Sequence, residues 1–345
     1  MKVDSYTFDL PEKLIAINPV KPRDASKLLI VKGKAIKNDL ISNVSKYIGN
    51  KDIIIFNDTK VIKSRLYSYL LTKEKRISIE LLLTKKVETF IWDAMAKPTK
   101  KIRKGDKLFL KYGYIIVLKK LDTGLIRCQF KVSTGSIEQL LEKCGEVPLP
   151  PYIVSRRNLL ASDEKDYQTI YAKREGSIAA PTAGLHFSKS LINRLEKKGA
   201  LTGMVTLHIG LGTFLPIRVR NIKDHQMHEE YGEVTKEMAR KINKAKKNGG
   251  KIIAVGTSTL RLLEQATKRG RVRAFKGETK LFIYPGYKFK LIDGLITNFH
   301  LPKSTLFILV AAFCGLSIIK NAYNYAIKKG YRFYSYGDAS FLMRN

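Results

Sequence analysis

The stretch KIIAVGTSTLRLLEQA, residues 251–266, decides the fold class of this chain. An apolar run leads through a turn at Gly256 into a helical pattern that begins with Thr257 and Ser258. A buried strand followed by a tight turn and a helix is the repeating unit of α/β proteins. The alternation extends through the C-terminal half, with further helices predicted near 189–198 and at 235–247, 304–314 and 319–328, and further strands in MVTLHI, LFIY and GLITNF.

The N-terminal 60 residues continue this pattern, and the residues after them do not. LLIV (28–31) and DIIIF (52–56) predict buried strands, and an amphipathic helix is predicted around Leu40–Ile48. From Ile62 to Val132 the pattern changes to β-rich runs such as RISIELLL and KLFLKYGYIIVL, separated by Lys, Gly and Asp turns. Successive short strands of this kind indicate a small antiparallel barrel or sandwich.

These patterns together predict an α/β fold with a mainly parallel, barrel-like core, interrupted by an inserted antiparallel β-barrel domain. The core is expected from residues 1–61 and 150–345, and the insertion from residues 62–149. A helix at Ile137–Lys143 and the proline-rich VPLPPYI (147–153) are expected to return the chain to the core. The site is then expected on loops at the carboxyl ends of the core strands.

The charge of the chain is strongly unbalanced. In 345 residues, 64 Lys and Arg face 30 Asp and Glu, which gives a formal net charge of +34. Such an excess favours a polyanionic partner, of which RNA, DNA and an anionic membrane are the candidates. A drift of the coding sequence towards Lys, Ile and Asn is the alternative, because it would scatter lysines without a function.

The cysteines and the apolar runs of the sequence indicate the cellular compartment. Cys128, Cys144 and Cys314 lie far apart without a C-x-x-C pair, so neither a thiolate zinc site nor a disulfide framework is expected. The N-terminal MKVDSYTFDLPEKL lacks the apolar region of a secretory signal. The longest apolar run, Leu306–Leu316, is too short to span a bilayer. We therefore expect a cytoplasmic protein that does not bind membranes.

All five histidines lie between residues 186 and 300, in segments rich in Gly, Thr, Ser and Pro. Histidine is the commonest general acid or base, and its confinement to such turns predicts one polar cleft lined by loops. A packed or solvated structural role remains the alternative for each one. The candidates are His186, His208, His225, His228 and His300.

Two turns offer places for a ligand. The helix that starts at Thr257 and Ser258 has free backbone N–H groups, which bind a carboxylate or phosphate, although both residues are also ordinary N-caps. Arg261 and Glu264 follow one turn apart and form either a surface pair or part of the cleft. In LHIGLGTF (207–214) two glycines permit close backbone approach and a threonine adds a hydroxyl, namely Gly210, Gly212 and Thr213.

Three further segments carry polar candidates. DHQMHEE (224–230) does not match the zinc motif H-E-x-x-H, so no metal is expected, and Glu229 or Glu230 is expected to tune a histidine. TNFHLPKSTL (297–306) places Asn298 beside His300 at the end of a strand. The C-terminal YRFYSYGDASFL (331–342) contributes Asp338 among aromatic rings that stack on bases or pack into the core.

These strings together resemble one known family over essentially the whole chain. PTAGLHF, VTLHIGLGTF, DHQMHEE, IIAVGTSTLRLLE, TNFHLPKSTL and YRFYSYGDA, with LPEKLIAINP and FNDTKVIKSRL, are similar to the S-adenosylmethionine:tRNA ribosyltransferase-isomerase family of queuosine biosynthesis. The chain departs from the family pattern at Lys60, where arginine is usual, at Ser258-Thr259, where the order is reversed, in AAFCG, and at Ser340. None of these changes removes a histidine, Asp338 or the glycines.

The resemblance implies a reaction in which S-adenosylmethionine is a consumed substrate and no cofactor is needed. The ribosyl group moves to the aminomethyl nitrogen of 7-aminomethyl-7-deazaguanine at the wobble position of tRNA and isomerises, which gives epoxyqueuosine and releases adenine and methionine. It also implies a cytoplasmic enzyme, and we expect a monomer. The expected catalytic residues are His186, His208, His225, His228, Glu229, His300 and Asp338, and the expected substrate-binding residues are Gly210, Gly212, Thr213, Thr257, Ser258, Arg261 and Asn298.

The chemistry requires several acid and base groups, because the carbon beside the sulfonium loses a proton, adenine gains one, and the attacking amine must be neutral. The sequence does not assign these steps to residues. Two other functions stay open at this stage. One is a basic RNA-binding module with structural histidines, and the other is a metal-dependent nucleic-acid hydrolase that uses His225 and His228.

Overall fold

The computed structural model describes residues 1–122, 124–133, 135–210, 212 and 217–344. The chain forms two compact units. The first comprises Met1–Lys60, Pro151–Arg174 and Ala180–Asn345, and the second comprises Val61–Pro150 and Glu175–Ala179.

The strands between residues 27 and 132 are β1 (Lys27–Lys32), β2 (Ala35–Leu40), β3 (Ile53–Asn57), β4 (Thr59–Val61), β5 (Arg65–Leu71), β6 (Arg76–Glu88), β7 (Ile91–Lys97), β8 (Lys107–Leu110), β9 (Gly113–Lys120) and β10 (Ile126–Val132). The later strands are β11 (Arg174–Ser177), β12 (Leu201–Leu207), β13 (Glu230–Val234), β14 (Ile252–Val255), β15 (Thr267–Lys268), β16 (Arg271–Val272), β17 (Phe275–Thr279), β18 (Gly294–Asn298) and β19 (Ala339–Met343). The α-helices are α1 (Ile137–Cys144), α2 (Pro151–Val154), α3 (Asp163–Asp166), α4 (Lys189–Lys197), α5 (Lys236–Lys247), α6 (Thr257–Gln265), α7 (Thr305–Cys314) and α8 (Leu316–Lys328).

The second unit is a closed antiparallel barrel with the strand order β10-β7-β6-β5-β8-β9. Alternate side chains of each strand point inward, as Ile79, Leu81 and Leu83 of β6 do, and all three are fully buried. Leu140 and Leu141 of α1 pack against the same core. The period-two runs therefore form the predicted inserted barrel.

The first unit is built on a nine-stranded sheet with the order β17-β13-β12-β3-β14-β18-β19-β1-β2. Strands β12, β3, β14 and β18 are mutually parallel, and β19 pairs parallel with β1. The other pairs are antiparallel. The α/β class with an inserted barrel is confirmed, but the core sheet is mixed and has an open strand order where the sequence suggested a mainly parallel, barrel-like one.

Both faces of this sheet are covered. Ile53 and Ile55 of β3 pack into one core cluster together with residues of α5, α6, α7 and α8. Ile54 and Phe56 of the same strand pack into the other cluster, with Leu191 of α4. A strand buried on both faces needs a continuous apolar run, which is why DIIIF shows no alternation.

Two local predictions are corrected. The segment expected as an amphipathic helix around Leu40–Ile48 is a 3-10 helix over Ile41–Tyr47, in which Ile41 and Val44 face the core at a spacing of three. LFIY (281–284) is not a strand. The Leu281 carbonyl oxygen accepts a hydrogen bond from Arg261 Nε at 2.9 Å and its N–H donates to Thr279 Oγ1 at 3.2 Å, so side chains take the place of a strand partner.

Helix α7 is the most apolar helix of the first unit, and seven of its ten residues are buried. No single helix in the described part of the chain is long and apolar enough to cross a membrane. Helices α7 and α8 meet the length and composition criteria only as a pair bent by 115°.

Candidate functional site

Four parallel strands bring their carboxyl ends to one edge of the core sheet. Strand β3 ends at Asn57, β12 runs into His208, β14 runs through Gly256 into α6, and β18 ends at Asn298. Because β12, β3, β14 and β18 are neighbours in the sheet, these polar residues fall along one line. Asn57 holds this edge together, since its Nδ2 donates to the Leu207 carbonyl oxygen at 2.9 Å and to Ser258 Oγ at 3.3 Å.

The first pocket lies at the start of α6, and we call it the α6 pocket. It is open to solvent, and its cavity volume is about 50 Å³. Gly256 has φ +90°, a conformation that favours glycine, and it turns the chain from β14 into the helix. The side chains that line the pocket include Thr182, Glu230, Thr257, Ser258, Arg261, Thr297 and His300.

A buried ion pair dominates the α6 pocket. Arg261 Nη1 lies 2.5 Å from Glu230 Oε2, and both side chains are almost fully buried. Glu230 Oε1 accepts from the Gly210 backbone N–H at 3.1 Å. Arg261 Nη2 is buried and has no hydrogen-bond partner among the described residues. Leaving such a donor unpaired is costly, so it is available for an acceptor that enters the pocket.

The second pocket lies around His186 and Tyr336, and we call it the His186 pocket. Its cavity volume is about 30 Å³. The residues that line it come from distant parts of the chain: Pro19, Val20, Lys21, Arg23, Ser26, Asp166, Leu185, His186, Ser335 and Tyr336.

A row of hydrogen bonds links Thr182, which lines the α6 pocket, to His186, which lines the other pocket. Thr182 Oγ1 donates to Asn298 Oδ1 at 2.9 Å, and Asn298 Nδ2 lies 3.1 Å from His186 Nε2. Since the amide is a donor there, His186 Nε2 accepts, and Nδ1 carries the proton towards Ser26 Oγ at 3.0 Å. Burial, reinforced by the nearby charges of Arg332 and Arg23, lowers the pKa of His186 to about 3. His186 is thus a neutral, fixed side chain at physiological pH.

The remaining histidines differ in their surroundings. His300 lines the α6 pocket, its Nε2 lies 3.2 Å from Thr297 Oγ1, and burial lowers its pKa to about 3. His208 is half-buried, with Nδ1 2.8 Å from Thr59 Oγ1, and burial lowers its pKa although Asp58 opposes the shift. His225 packs edge-on against Phe282 at 5.2 Å between ring centroids, and burial lowers its pKa.

Gly212 lies beside His228. His228 is exposed, and a Cβ at Gly212 would come within 2.4 Å of its ring, so a side chain at position 212 would require that ring to shift. Thr213 lies outside the described residues. His300 and His186 therefore line two separate pockets, and His208, His225 and His228 are not in the lining of either one.

Several charged candidates have specific partners. Glu229 is exposed and its Oε1 lies 2.8 Å from Lys280 Nζ. Asp338 is buried and accepts from the backbone N–H groups of Lys27 and Arg332 at 3.1 and 2.8 Å. Glu264 is fully buried and does not pair with Arg261. It is therefore neither part of a surface ion pair nor one of the residues that line the cleft. It accepts hydrogen bonds from the backbone of 290–292 instead.

Sequence reasoning missed some of the residues that build these pockets. Asn57 was marked by the Asn-Asp-Thr that follows a buried strand, a signal that was present in the sequence. Arg23, Ser26 and Tyr336 carry no local signal, because only the fold brings them to His186. Within the described residues no group of three or more His, Cys, Asp or Glu is arranged to hold a metal ion.

Comparison with known proteins shows the family to which this chain belongs. The family model described as queuosine biosynthesis protein matches residues 3–342. Proteins named S-adenosylmethionine:tRNA ribosyltransferase-isomerase are similar, at 46% identity in Rhodospirillum rubrum, covering 99% of this chain and 98% of that protein, and at 44% in Bradyrhizobium diazoefficiens, covering 100% and 97%. The crystal structure of the S-adenosylmethionine tRNA ribosyltransferase from Thermotoga maritima is 34% identical, with a TM-score of 0.57 over 98% of this chain and 100% of that one. The chain belongs to the queuosine biosynthesis protein family.

Proposed function

We propose that this chain transfers the ribosyl moiety of S-adenosylmethionine to 7-aminomethyl-7-deazaguanine at the wobble position of tRNA and isomerises it. The products are epoxyqueuosine in tRNA, adenine and methionine. Family membership and the names of the full-length relatives support this assignment. The structural observation that carries it is the unpaired, buried Arg261 Nη2 at the start of α6, because it suits the carboxylate of the methionine part.

The methionine part of S-adenosylmethionine is assigned to the α6 pocket. The N–H groups of the first turn of α6 have no partners within the helix and attract an anion, together with the positive end of the helix dipole. Arg261 Nη2 adds a charge-assisted donor to the same carboxylate. Glu230 provides negative charge beside it, which suits the substrate's α-ammonium group.

The proton transfers are assigned by the environments of the histidines. A group with a pKa near 3 is a weak base at neutral pH, so His186 and His300 are proposed to orient the substrates through their fixed hydrogen bonds. His208 is half-buried, neutral and held by Thr59 at the edge where β12 ends. We propose that the ribose of the bound substrate extends beyond the α6 pocket to the end of β12, where His208 removes the proton from the carbon beside the sulfonium.

The working state proposed for the enzyme is a cytoplasmic monomer that uses S-adenosylmethionine as a substrate and needs no cofactor. The net charge of +34 suits a tRNA substrate. Light scattering of the purified protein, alone and with tRNA, tests the oligomeric state: a mass near 39.2 kDa for the free protein is expected, and a mass of twice that contradicts the monomer.

The test of the reaction is adenine release. Protein and S-adenosylmethionine are incubated with tRNA that bears the aminomethyl base, or with the same tRNA bearing guanine as control, and adenine is quantified by chromatography. Adenine formed only with the aminomethyl base is the expected result. Tight tRNA binding without adenine would favour a binding module, and chelator-sensitive cleavage of the RNA would favour a hydrolase.

A further inference from the structure

We infer that a cavity at the edge of the core sheet opposite the candidate site is a second ligand site, which takes a small organic phosphate that carries a planar ring. A nucleoside monophosphate represents this class of ligand. The cavity volume is about 260 Å³, against about 50 Å³ for the α6 pocket. The inference goes beyond the proposed function and does not depend on it.

The cavity lies where β14 and β18 begin and where β1 and β19 end, and we call it the β18 cavity. These strands are neighbours in the sheet, in the order β14-β18-β19-β1. The α6 pocket lies at the other ends of β14 and β18, so a ligand in the β18 cavity does not occupy it. The residues that line the β18 cavity are Lys32, Tyr47, Lys251, Ile253, Asp293, Gly294, Phe341, Met343 and Arg344.

The floor of the β18 cavity is apolar. Ile253 and Phe341 are almost fully buried and belong to the core cluster on this face of the sheet. Met343 and Tyr47 pack against the same cluster but are only half-buried, so the cluster is not closed at this end. The Tyr47 hydroxyl donates to Asp39 Oδ2 at 2.6 Å, which fixes the tyrosine ring as one wall. Such a surface suits a planar, apolar ring of a ligand.

The charged side chains of the lining are mostly cations. Lys32, Lys251 and Arg344 stand against one carboxylate, Asp293, whose Oδ2 already accepts a hydrogen bond from the Ile252 N–H at 2.8 Å. Arg344 donates through Nη1 to a backbone carbonyl oxygen at 3.3 Å. Within the described residues, the ammonium groups of Lys32 and Lys251 have no hydrogen-bond or ion-pair partner. These two cations are therefore available to an anionic ligand.

The charges and the volume define the ligand. A phosphate monoester carries about two negative charges at neutral pH, which matches two ammonium groups, whereas a carboxylate carries only one. Lysine binds phosphate as a point charge and needs no fixed geometry. The cavity volume is just below the range of about 300–1,000 Å³ for small-molecule sites, so the ligand is about the size of a single nucleotide.

Calorimetric titration of the full-length protein with AMP tests the inference. We expect AMP to bind at least about tenfold more tightly than inorganic phosphate or adenosine, because each of these makes only one of the two kinds of contact. Lys251→Gln should raise the Kd of AMP by at least about fivefold. The matched control is Lys197→Gln, in an exposed lysine of α4 outside the lining, and should change that Kd by less than about twofold. Both lysines are exposed, so both variants should fold.

A competition experiment separates the β18 cavity from the site for S-adenosylmethionine. The Kd of AMP is measured again with saturating S-adenosylmethionine and without tRNA, and an unchanged value is expected. Loss of AMP binding would place AMP at the candidate site and overturn the inference. Equal effects of Lys251→Gln and Lys197→Gln would overturn it too, as would inorganic phosphate that binds as tightly as AMP. Failure of the proposed reaction is seen separately, as absence of adenine release in its own assay.

Discussion

At the scale of single residues, Arg261 explains most about the site. Its Nη1 and Nε bind Glu230 and the Leu281 carbonyl oxygen, and its buried Nη2 has no hydrogen-bond partner among the described residues. The sequence predicted an anion site at Thr257 and Ser258 with Arg261 nearby, but not the partner of the arginine. Glu230 is 31 positions away and reaches Arg261 only because β13 pairs with β12.

Replacing Arg261 by lysine tests its role in binding. The ammonium group keeps a positive charge opposite Glu230 but cannot bridge two carboxylates as a guanidinium does. We expect the KM for S-adenosylmethionine to rise by about ten- to a hundredfold while the KM for tRNA stays within about threefold. Steady-state kinetics with each substrate varied in turn checks this. A variant that instead loses tRNA binding would move the carboxylate site elsewhere.

The buried histidines predict a pH dependence of stability. In the folded protein the pKa of His300 is about 3, below its value of about 6.5 in an unfolded chain, so unfolding takes up a proton at intermediate pH. The unfolding free energy is therefore complete above about pH 6.5 and falls on acidification towards pH 3. Between pH 7.5 and 5.0 we expect His300→Gln to lose about 2 kcal/mol less than wild type. Urea unfolding at both pH values measures this, and equal losses would contradict it.

At the scale of elements, the side chain of Glu264 organises the segment that follows β17. It accepts from the backbone N–H groups of Lys290, Leu291 and Ile292 and from the Tyr287 hydroxyl, and Arg261 on the same helix holds Leu281. The apolar residues of LFIY predicted a strand. The prediction was wrong because a sequence pattern does not reveal that a side chain of a helix will bind the backbone of this segment. The Leu281 carbonyl oxygen of this segment in turn accepts a hydrogen bond from Arg261 Nε.

Substitution of Glu264 tests this element. In the wild-type protein these backbone N–H donors face carboxylate oxygens, whereas Glu264→Gln places an amide N–H against some of them. We therefore expect a loss of about 1.5–3 kcal/mol in the unfolding free energy. Glu237→Gln, at an exposed position of α5, is the control and should change it by less than about 0.5 kcal/mol. Urea denaturation followed by circular dichroism gives both values. Equal stability of the two variants would mean that the segment does not depend on Glu264.

The sequence pattern did not predict strand β19. ASFLM follows an aromatic run that indicated stacking or core packing, yet it inserts between β18 and β1 and pairs with both. Helices α4, α5, α6, α7 and α8 and strands β1, β3, β14 and β18 were predictable, because long apolar periods and glycine turns mark them locally. A strand whose partners come from both ends of the chain has no comparable local signal.

At the scale of the whole molecule, the α/β class with an inserted barrel followed from the change of sequence period at residue 62. The division of the site into two pockets did not, because the five histidines looked like one cluster in sequence. Asn298 and His186 come together across 112 positions, and no spacing rule predicts that contact.

The charge of the molecule predicts how tRNA binding responds to salt. Each lysine or arginine that contacts a phosphate releases counterions, so the logarithm of the affinity should fall linearly with the logarithm of salt concentration. With a net charge of +34 we expect a loss of at least about a hundredfold between 50 and 200 mM salt. Anisotropy titrations with full-length tRNA check this. A nearly flat dependence would mean that the basic excess is coding drift.

In the proposed reaction the ribosyl group, and not the methyl group, of S-adenosylmethionine reaches the tRNA. The most direct measurement supplies S-adenosylmethionine labelled either in the ribose carbons or in the methyl carbon, with tRNA bearing the aminomethyl base, and counts label in the recovered tRNA. The account predicts ribose label in the tRNA at one equivalent per adenine released, and methyl label only in free methionine. Methyl label in the tRNA, or adenine release without ribose label in the tRNA, would contradict it.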